Sequence, residues 1–465
     1  MSLTARLGRH STAASVALLA LVAYVPALAS SPGRMPADTK LYLYLDPAGL
    51  VGRAASTFEP DQFAGWVPHQ QITYLWPSGP WFLLFDTIGL PDWIAHRLWI
   101  GTIMFLAGVG MSWASRLLGL SALGAVVAAV VYQTSPFILP YVSRTSLLLL
   151  PWAGLGWIVA LTVRATRPGR SDLETPHWRR RLEPWRDPAL IALVVATVGS
   201  ANATTLAMIV PAPVIWIVHT TWQGQISWRR ALGVTVRIAV LCVVVSVWWI
   251  AMLVVQGRYG APVLDYSETL EDVSRNATGS EVVRGLGYWL FYQRDAFGPT
   301  TTASIDHLVS LRTIAVSYAV IIVGLIGLAV TSWRQRRFAA MCLAAGAVLA
   351  VGVHPIDRPS PLMALLVNED GSGLALALRS STRAVPVLLL GVALGAGALL
   401  SALPARFALR PGSRPVPALR LAATIGVALL AVANLPSLWN RAFVDPVIDR
   451  DQNPPAAWDA AIDAL

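Results

Sequence analysis

Residues 11–30 read STAASVALLALVAYVPALAS, and residues 36–46, PADTKLYLYLD, follow this apolar run after a short gap. A run of about twenty apolar residues is long enough to cross the roughly 30 Å hydrocarbon core of a bilayer as a helix. This second stretch contains the charged residues Asp38, Lys40 and Asp46. Lys40 is the only lysine of the chain. We therefore expect a membrane span whose exit carries either a hydrated cap or the polar groups of a site.

The first span has a second interpretation. Ala27-Leu28-Ala29 resembles the small-residue cleavage site of a signal peptide that begins with a short basic segment. The apolar run is long for a signal peptide, so we favour a retained anchor. Asp38 lies outside the membrane under either interpretation.

The composition is that of a membrane protein with many spans. Of the 465 residues, 55% are hydrophobic and 13% are charged, and the mean hydropathy is +0.58. Soluble domains carry roughly 25% charged residues, so about half of the usual charge is missing. We predict an all-α polytopic transmembrane helical bundle of about eleven spans, at residues 11–30, 93–114, 119–138, 145–164, 188–203, 205–222, 232–255, 312–332, 338–354, 384–403 and 418–436.

Arginine is concentrated in one set of short loops, which include Arg116, the triplet Arg179–Arg180–Arg181 and the pair Arg229–Arg230. Because arginine-rich loops face the cytoplasm, we predict a multi-pass plasma-membrane protein with a cytoplasmic N-terminus and an extracytoplasmic C-terminus. The net charge of +10 is spread over these loops rather than gathered in a soluble basic domain, so we expect no nucleic acid partner. The triplet would contact anionic membrane lipids or dock an acidic cytoplasmic carrier protein.

Acidic residues are concentrated instead in the tail and in three outer segments, residues 31–92, 256–311 and 355–383. We expect function in these segments, because binding and catalytic residues are disproportionately found on loops. Within the first of them, TYLWPSGPWFLLFDTIGLP at residues 73–91 is short and broken by prolines. This pattern predicts a re-entrant or interfacial segment rather than a span.

Two outer segments contain side chains suited to a phosphorylated sugar. In GRYGAPVLDYSE, residues 257–268, Arg258 presents a planar fork for phosphate, and Asp265 and Glu268 present acceptors for sugar hydroxyls. Snorkelling toward lipid headgroups is an equally good interpretation of Arg258 alone. In LALALRSSTRAVP, residues 374–386, Arg379 and Arg383 stand one turn apart at a membrane surface and could bind a lipid phosphate.

Other polar residues are less informative. His69 and Gln70 precede the re-entrant segment and could contact a ligand, although a lone loop histidine is more often solvated. Asp38 would be partly desolvated at the exit of a span and could act as a base, but spacing alone favours a cap.

Cys242 and Cys342 lie in apolar runs without metal-ligand spacing, so we expect no cofactor and no metal. Three residues in or beside spans are expected to satisfy local packing or to snorkel toward the membrane surface: His96, His219 and Arg237.

Six stretches of the chain together resemble one known family. They are PADTKLYL at 36–43, HQQITYLWPSGPWF at 69–82, HRLWIGTIM at 96–104, SANATTL at 200–206, VWWIAMLVVQGRYGAPVLDYSE at 247–268 and ALRSSTRAVP at 377–386. In this order they resemble the membrane domain of the actinobacterial (mycobacterial-type) α-(1→3)-arabinofuranosyltransferases. The resemblance implies the fold of the C-type glycosyltransferases of the cell envelope.

The resemblance also implies a chemistry. The aspartate-threonine-lysine group of the family falls on Asp38, which becomes the expected catalytic carboxylate in place of a cap. The implied donor is a polyprenyl-phosphate-linked arabinofuranose, and the implied acceptor is a cell-wall polysaccharide, an arabinan, at the outer face. One carboxylate suffices for a single inverting displacement in which Asp38 is the general base.

A polyprenyl phosphate leaves as an anion, so it needs cationic stabilisation more than protonation. Arg258, Arg379 and Arg383 are the candidates for this task. Lys40 and Tyr259 belong to the two most specific matching groups, and we expect both to contact substrate.

Two functions of other classes remain as alternatives, a polyprenyl-linked glycan transporter or flippase and a non-catalytic scaffold for envelope assembly. A transporter should place its essential polar groups near the bilayer midplane, whereas here they cluster at the outer surface. We divide the chain into a transmembrane glycosyltransferase domain over residues 1–436 and the truncated start of an extracytoplasmic segment over residues 437–465.

Overall fold

The fold is described by a computed structural model, which is almost entirely helical. The structure describes residues 3–36, 38, 42–54, 56–60, 64–68, 74–167, 177–262, 268–296, 298–366, 380–407, 417–444 and 455–464. A helix occupies each predicted span, and we number these helices in chain order: α1 Leu3–Ala29, α2 Asp92–Leu117, α3 Ala122–Val142, α4 Ser146–Thr166, α5 His177–Val198, α6 Ala203–Trp222, α7 Trp228–Tyr259, α8 Leu311–Val330, α9 Arg336–Val351, α10 Val385–Phe407 and α11 Pro417–Ala433.

Several of these helices contain a local break. α3 comprises Ala122–Gln133, a 3₁₀ turn at Pro136–Ile138 and Leu139–Val142, and α6 comprises Ala203–Ile209 and Pro211–Trp222. α4 and α10 begin with 3₁₀ turns at Ser146–Leu149 and Ser381–Ala384. Proline explains the breaks in α3 and α6, because it lacks the N–H that would continue the helical ladder.

Seven helices in the described ranges are long and apolar enough to cross a membrane, namely α2, α3, α4, α6, α7, α8 and the segment Ser381–Leu403 that contains α10. The other four predicted spans are helical but fall short of this standard. The apolar parts of α1 and α11 cover only Ala13–Ala29 and Leu421–Ala433, and α9 has 16 residues. The first turns of α5 are polar and include Pro184 and Pro188. The polytopic all-α architecture is confirmed, with seven such spans where the hydropathy pattern predicted about eleven.

The bundle has a buried centre and an exposed periphery. In α4 and in Ser381–Leu403, 89% of the apolar window is buried inside the protein, whereas in α7 only 11% is buried. Glycine permits the closest approaches, since a Cβ at Gly156 of α4 would lie 2.5 Å from the backbone nitrogen of Met111 in α2. Small residues at such crossings let helix backbones pack closely within a membrane.

The remaining elements are short, and those that precede α11 lie on the side of the bundle where α1 ends and α2 begins. They are the helices Tyr42–Leu45, Pro47–Arg53, Ser78–Thr87, Leu270–Asn276, Gly279–Val283, Ala303–Val309, Pro361–Leu366 and Ala456–Asp463, the 3₁₀ turns Trp289–Tyr292 and Pro436–Leu438, and one antiparallel pair of strands, Arg294–Asp295 with Gly298–Pro299. The segment predicted to be re-entrant or interfacial contains Ser78–Thr87. This helix has 10 residues, too few to span a bilayer.

Candidate active site

Asp38 is buried where the starts of α2 and α4 meet, and its side chain is 6% exposed. Its Oδ2 lies 2.9 Å from Nε2 of His96, and its Oδ1 accepts a hydrogen bond of 2.9 Å from the backbone N–H of Ser146. The Ser146 hydroxyl also donates to Oδ2 and accepts from Nε1 of Trp99 at 3.1 Å. The partial positive charge of a helix N-terminus further favours an anion beside Ser146.

His96 is held in one tautomer by its neighbour. Nη1 of Arg97 lies 3.0 Å from Nδ1 of His96, and a guanidinium can only donate. Nδ1 of His96 is therefore the acceptor, and the ring hydrogen sits on Nε2, which donates to Asp38. Both side chains are fully buried.

Arg97 also ties the exit of α1 to α2. Its Nε donates to the carbonyl of Ser30 at 3.2 Å, and its Nη2 donates to the carbonyls of Ser31 at 3.4 Å and Arg34 at 2.9 Å. The backbone carbonyl of Asp38 accepts a bond of 2.9 Å from the Tyr44 hydroxyl. The chain that carries Asp38 is thus fixed on both sides of the carboxylate.

The surroundings of Asp38 favour its ionised form. Burial raises the pKa of the Asp38 carboxyl, but hydrogen bonds from His96 and Ser146 outweigh this effect and hold the pKa below its ordinary value. Asp38 is therefore a carboxylate at neutral pH, able to accept a proton but unable to donate one.

A second polar cluster surrounds Arg383, in the 3₁₀ turn before α10. Its Nη1 donates to Oδ1 of Asn202 at 3.1 Å, and its Nε is buried without a partner in the described part of the chain. The rings of Tyr141 and Tyr288 stack beside it with centroids 4.7 Å apart. Glu268 accepts a bond of 2.8 Å from the Ser380 hydroxyl.

One short segment joins the two clusters. Tyr141 belongs to the Arg383 cluster and Ser146 contacts Asp38, while the Thr145 N–H donates to the Tyr141 carbonyl at 2.9 Å. Within the described ranges, the hydroxyls of Tyr141 and Thr145 are buried without hydrogen-bond partners. Because buried polar groups are nearly always satisfied, these hydroxyls and Nε of Arg383 are candidates for contact with a polar ligand.

The structure brings together only some of the predicted site residues. Asp38, Glu268 and Arg383 lie in the two clusters, whereas Arg258 and Tyr259 are exposed at the end of α7. Five other candidates lie outside the described residues: Lys40, His69, Gln70, Asp265 and Arg379.

Asp46 follows Asp38 closely in the sequence but has a different role in the structure. The Asp46 side chain caps the helix Pro47–Arg53 by accepting from the Gly49 N–H at 2.8 Å. The side chains of residues 179–181 lie outside the described part of the chain.

Sequence reasoning missed the residues that contact Asp38 and Arg383. His96 was expected to satisfy local packing, but it contacts Asp38; His219 does form a local contact, with Gln335 at 3.2 Å. Ser146 and Tyr141 gave no signal of their own. His96 and Asn202 did fall within the quoted matching stretches HRLWIGTIM and SANATTL.

The chain is similar in sequence to two curated proteins. The chain is 29% identical over 393 residues to an alpha-(1->3)-arabinofuranosyltransferase of Mycolicibacterium smegmatis, covering 83% of this chain and 26% of that protein. The corresponding protein of Mycobacterium tuberculosis is also 29% identical, over 82% of this chain and 26% of its own length. The chain thus spans about a quarter of the length of the curated relatives it matches.

The fold has a counterpart among solved structures. A cryo-EM structure of the arabinofuranosyltransferase AftD from Mycobacteria superposes with a TM-score of 0.68 at 23% identity, covering 97% of this chain and 28% of that one. Residues 22–465 match the family described as "Alpha-(1->3)-arabinofuranosyltransferase, N-terminal GT-C domain". The chain therefore belongs to this family of membrane-embedded C-type glycosyltransferase domains.

Proposed function

We propose that this protein transfers an arabinofuranosyl residue from a polyprenyl-phosphate donor to a cell-envelope arabinan at the outer face of the membrane. The reaction inverts the anomeric centre, and Asp38 is its general base. The observation that carries the proposal is the buried Asp38 carboxylate, held ionised by His96 and Ser146.

The state of Asp38 suits a base better than an acid. The acceptor hydroxyl must lose its proton as its oxygen attacks the anomeric carbon, and an ionised carboxylate can take that proton. The same group could not protonate a leaving group, but a polyprenyl phosphate departs as a stable anion and needs no proton.

Stabilisation of the departing phosphate is the task we assign to Arg383. Its Nε is buried and unpartnered, as are the hydroxyls of Tyr141 and Thr145 within the described ranges, and these groups would donate to phosphate or sugar oxygens. Guanidinium binds phosphate through two parallel hydrogen bonds. Glu268 is placed to accept from a sugar hydroxyl, and Lys40, His69, Gln70, Asp265, Arg258, Tyr259 and Arg379 remain proposed substrate contacts.

The orientation is also part of the proposal. The arginine-rich loops support a cytoplasmic N-terminus and an extracytoplasmic C-terminus, with residues 437–465 outside the membrane after the transmembrane domain. Asp38 and Arg383 then face the outer compartment, where the arabinan is. The proposal also includes an acidic carrier protein that binds the cytoplasmic arginine triplet.

The test is transfer by the purified protein from synthetic prenyl-phosphoryl arabinofuranose to arabinofuranosyl oligosaccharides. We expect a product whose new linkage has the anomeric configuration opposite to that of the donor. Asp38→Asn is the matched control. A product with the donor's own configuration, or full transfer by the control variant, would contradict the proposed mechanism.

A further inference from the structure

A cavity of 770 Å³ lies at the other end of the bundle from Asp38, among α4, α5 and α7. His96 is near the start of α2, and Leu117, which lines this cavity, ends the same helix. At 1.5 Å per residue the two ends of α2 are roughly 30 Å apart. The cavity is therefore separate from the candidate active site. Its charged lining residues are Arg164, Arg167, Arg186, Arg229, Arg230 and Arg237, with Glu183 and Asp187.

Four of these arginines are engaged by the protein itself. One of them is Arg237, whose Nη1 donates to the Gly233 carbonyl at 3.0 Å. Arg164 forms an ion pair of 2.8 Å with Asp187, Arg167 donates to the Leu117 carbonyl at 2.7 Å, and Arg230 donates to the Arg167 carbonyl. These contacts hold the cavity wall in place. Two carboxylates cannot neutralise six guanidinium groups, so the wall has an excess of positive charge that an anion would relieve.

Three arginines keep guanidinium N–H groups that could bind that anion, namely Arg186, Arg229 and, through its Nε, Arg237. Arg186 and Arg229 make no hydrogen bond or ion pair within the described ranges, and Nε of Arg237 is buried without a partner there. The guanidinium of Arg237 lies 5.4 Å over the ring of Trp185, which fixes its plane. Guanidinium groups held in this way bind phosphate through paired N–H donors.

The ligand must also be amphiphilic, because the cavity is continuous with an exposed apolar surface. On α7, Leu232, Val236 and Val240 are exposed on successive turns next to the cavity residues Gly233 and Arg237. Such a stripe on a membrane helix faces acyl chains. A charged cavity beside an apolar stripe fits a lipid whose headgroup carries phosphate.

We propose that this cavity binds the phosphate headgroup of an anionic phospholipid, whose acyl chains lie along α7. Free phosphate esters could also bind the guanidinium groups through their phosphate. Only a lipid could in addition place acyl chains against the exposed apolar side chains of α7. Lipid binding at this site does not depend on the transfer reaction. The proposal can therefore be tested independently of the proposed function.

The experiment uses delipidated protein in neutral detergent and measures binding by native mass spectrometry. The probes are diphosphatidylglycerol, phosphatidylcholine and soluble glycerophosphate. The variant R186Q/R229Q/R237Q removes the three available arginines, and R294Q/R312Q/R358Q removes the same charge from exposed positions at the opposite end. We expect at least a tenfold loss of diphosphatidylglycerol affinity in the first variant and little change in the second.

Three outcomes would overturn the proposal. They are equal loss in both triple variants, binding of glycerophosphate as tight as that of the lipid, and binding of polyglutamate in place of the lipid, which would indicate an acidic protein partner. The variant R186K/R229K/R237K retains the charge and controls for folding. It should keep more affinity than the glutamine variant.

Discussion

Nη1 of Arg97 donates to Nδ1 of His96 over 3.0 Å, and this contact determines that His96 presents an N–H to Asp38. Two adjacent residues of α2 thus act in series on a carboxylate 58 positions earlier in the chain. The hydrogen bonds of Arg97 are with His96 and with the backbone carbonyls that follow α1. It and His96 are positioning residues, which hold the ionisation and orientation of Asp38.

The first prediction concerns the pH dependence of transfer. Because the pKa of Asp38 is held below its ordinary value, activity should be lost on acidification only below about pH 4. The carboxylate's contribution to folding stability follows the same sign, being present above that pH and lost as the pH falls through the lowered pKa. Profiles of kcat/KM against pH measure the first effect, and unfolding against pH measures the second.

His96→Leu should move that acid limb to higher pH. It removes an N–H donor from Asp38, and loss of a hydrogen bond to the charged form raises the pKa of the carboxyl. His96→Gln can still accept from Arg97 and donate to Asp38, so it should restore most of the wild-type profile. An unchanged acid limb in His96→Leu would remove His96 from the site.

Asp38→Asn should reduce transfer by about 10²–10⁴-fold, the usual contribution of general-base assistance. The amide N–H of the asparagine would face an N–H or O–H donor of His96 or Ser146, and one hydrogen bond would be lost. We therefore expect a stability loss of about 1–3 kcal/mol. Rates must therefore be measured on the folded, monodisperse fraction.

Asp46→Asn is the matched control for Asp38→Asn. Asp46 is an exposed N-cap that also pairs with Arg53 at 3.5 Å, and asparagine caps helices as well as aspartate does. Transfer and stability should both stay near wild type. Equal losses in the two variants would show that Asp38 has no special role.

Much of this fold was predictable from hydropathy. Each helix that crosses a bilayer must be apolar over about twenty residues, so each span leaves its own apolar run in the sequence. The limits of α5 were not predictable in this way. Residues 188–203 were predicted as the span, yet the helix covers His177–Val198 and therefore begins in polar turns, which a search for apolar runs does not include. Asn202 instead caps the next helix by accepting from the Thr205 N–H at 2.9 Å.

The site was less predictable than the fold. The partners of Asp38 lie 58 and 108 residues away, on two different helices. No local pattern signals such a pairing, because hydrophobic periodicity reports which face of a helix is buried but not which polar atoms meet. Family resemblance identified Asp38, whereas Ser146 required the three-dimensional arrangement.

Arg383→Lys should weaken use of the donor. Lysine cannot supply the paired N–H donors that phosphate accepts, and the bond to Asn202 would be lost. We expect the donor KM to rise by about 10–100-fold, the equivalent of one charge-assisted hydrogen bond, with little change in acceptor KM.

Arg258→Lys makes the same chemical change at an exposed position at the end of α7. If Arg258 only meets lipid headgroups, its variant should keep the wild-type donor KM. Donor affinity that depends on Arg258 and not on Arg383 would move the phosphate site away from the second cluster.

The last prediction concerns orientation. Single cysteines are introduced at Ser280, exposed on the Asp38 side, and at Ser332, exposed just after α8. The background carries Cys242→Ala and Cys342→Ala, which remove the only native thiols. Gln335 would be a poor probe, because it is 9% exposed and contacts His219.

In intact cells, a membrane-impermeant thiol reagent should label Ser280→Cys and spare Ser332→Cys until the cells are lysed. This pattern follows from the arginine-rich ends of α4, α5 and α7, which the positive-inside rule assigns to the cytoplasm. The opposite pattern would place Asp38 and Arg383 in the cytoplasm. The donor would then have to be used on the inner leaflet, and an arabinan acceptor in the outer compartment would be out of reach.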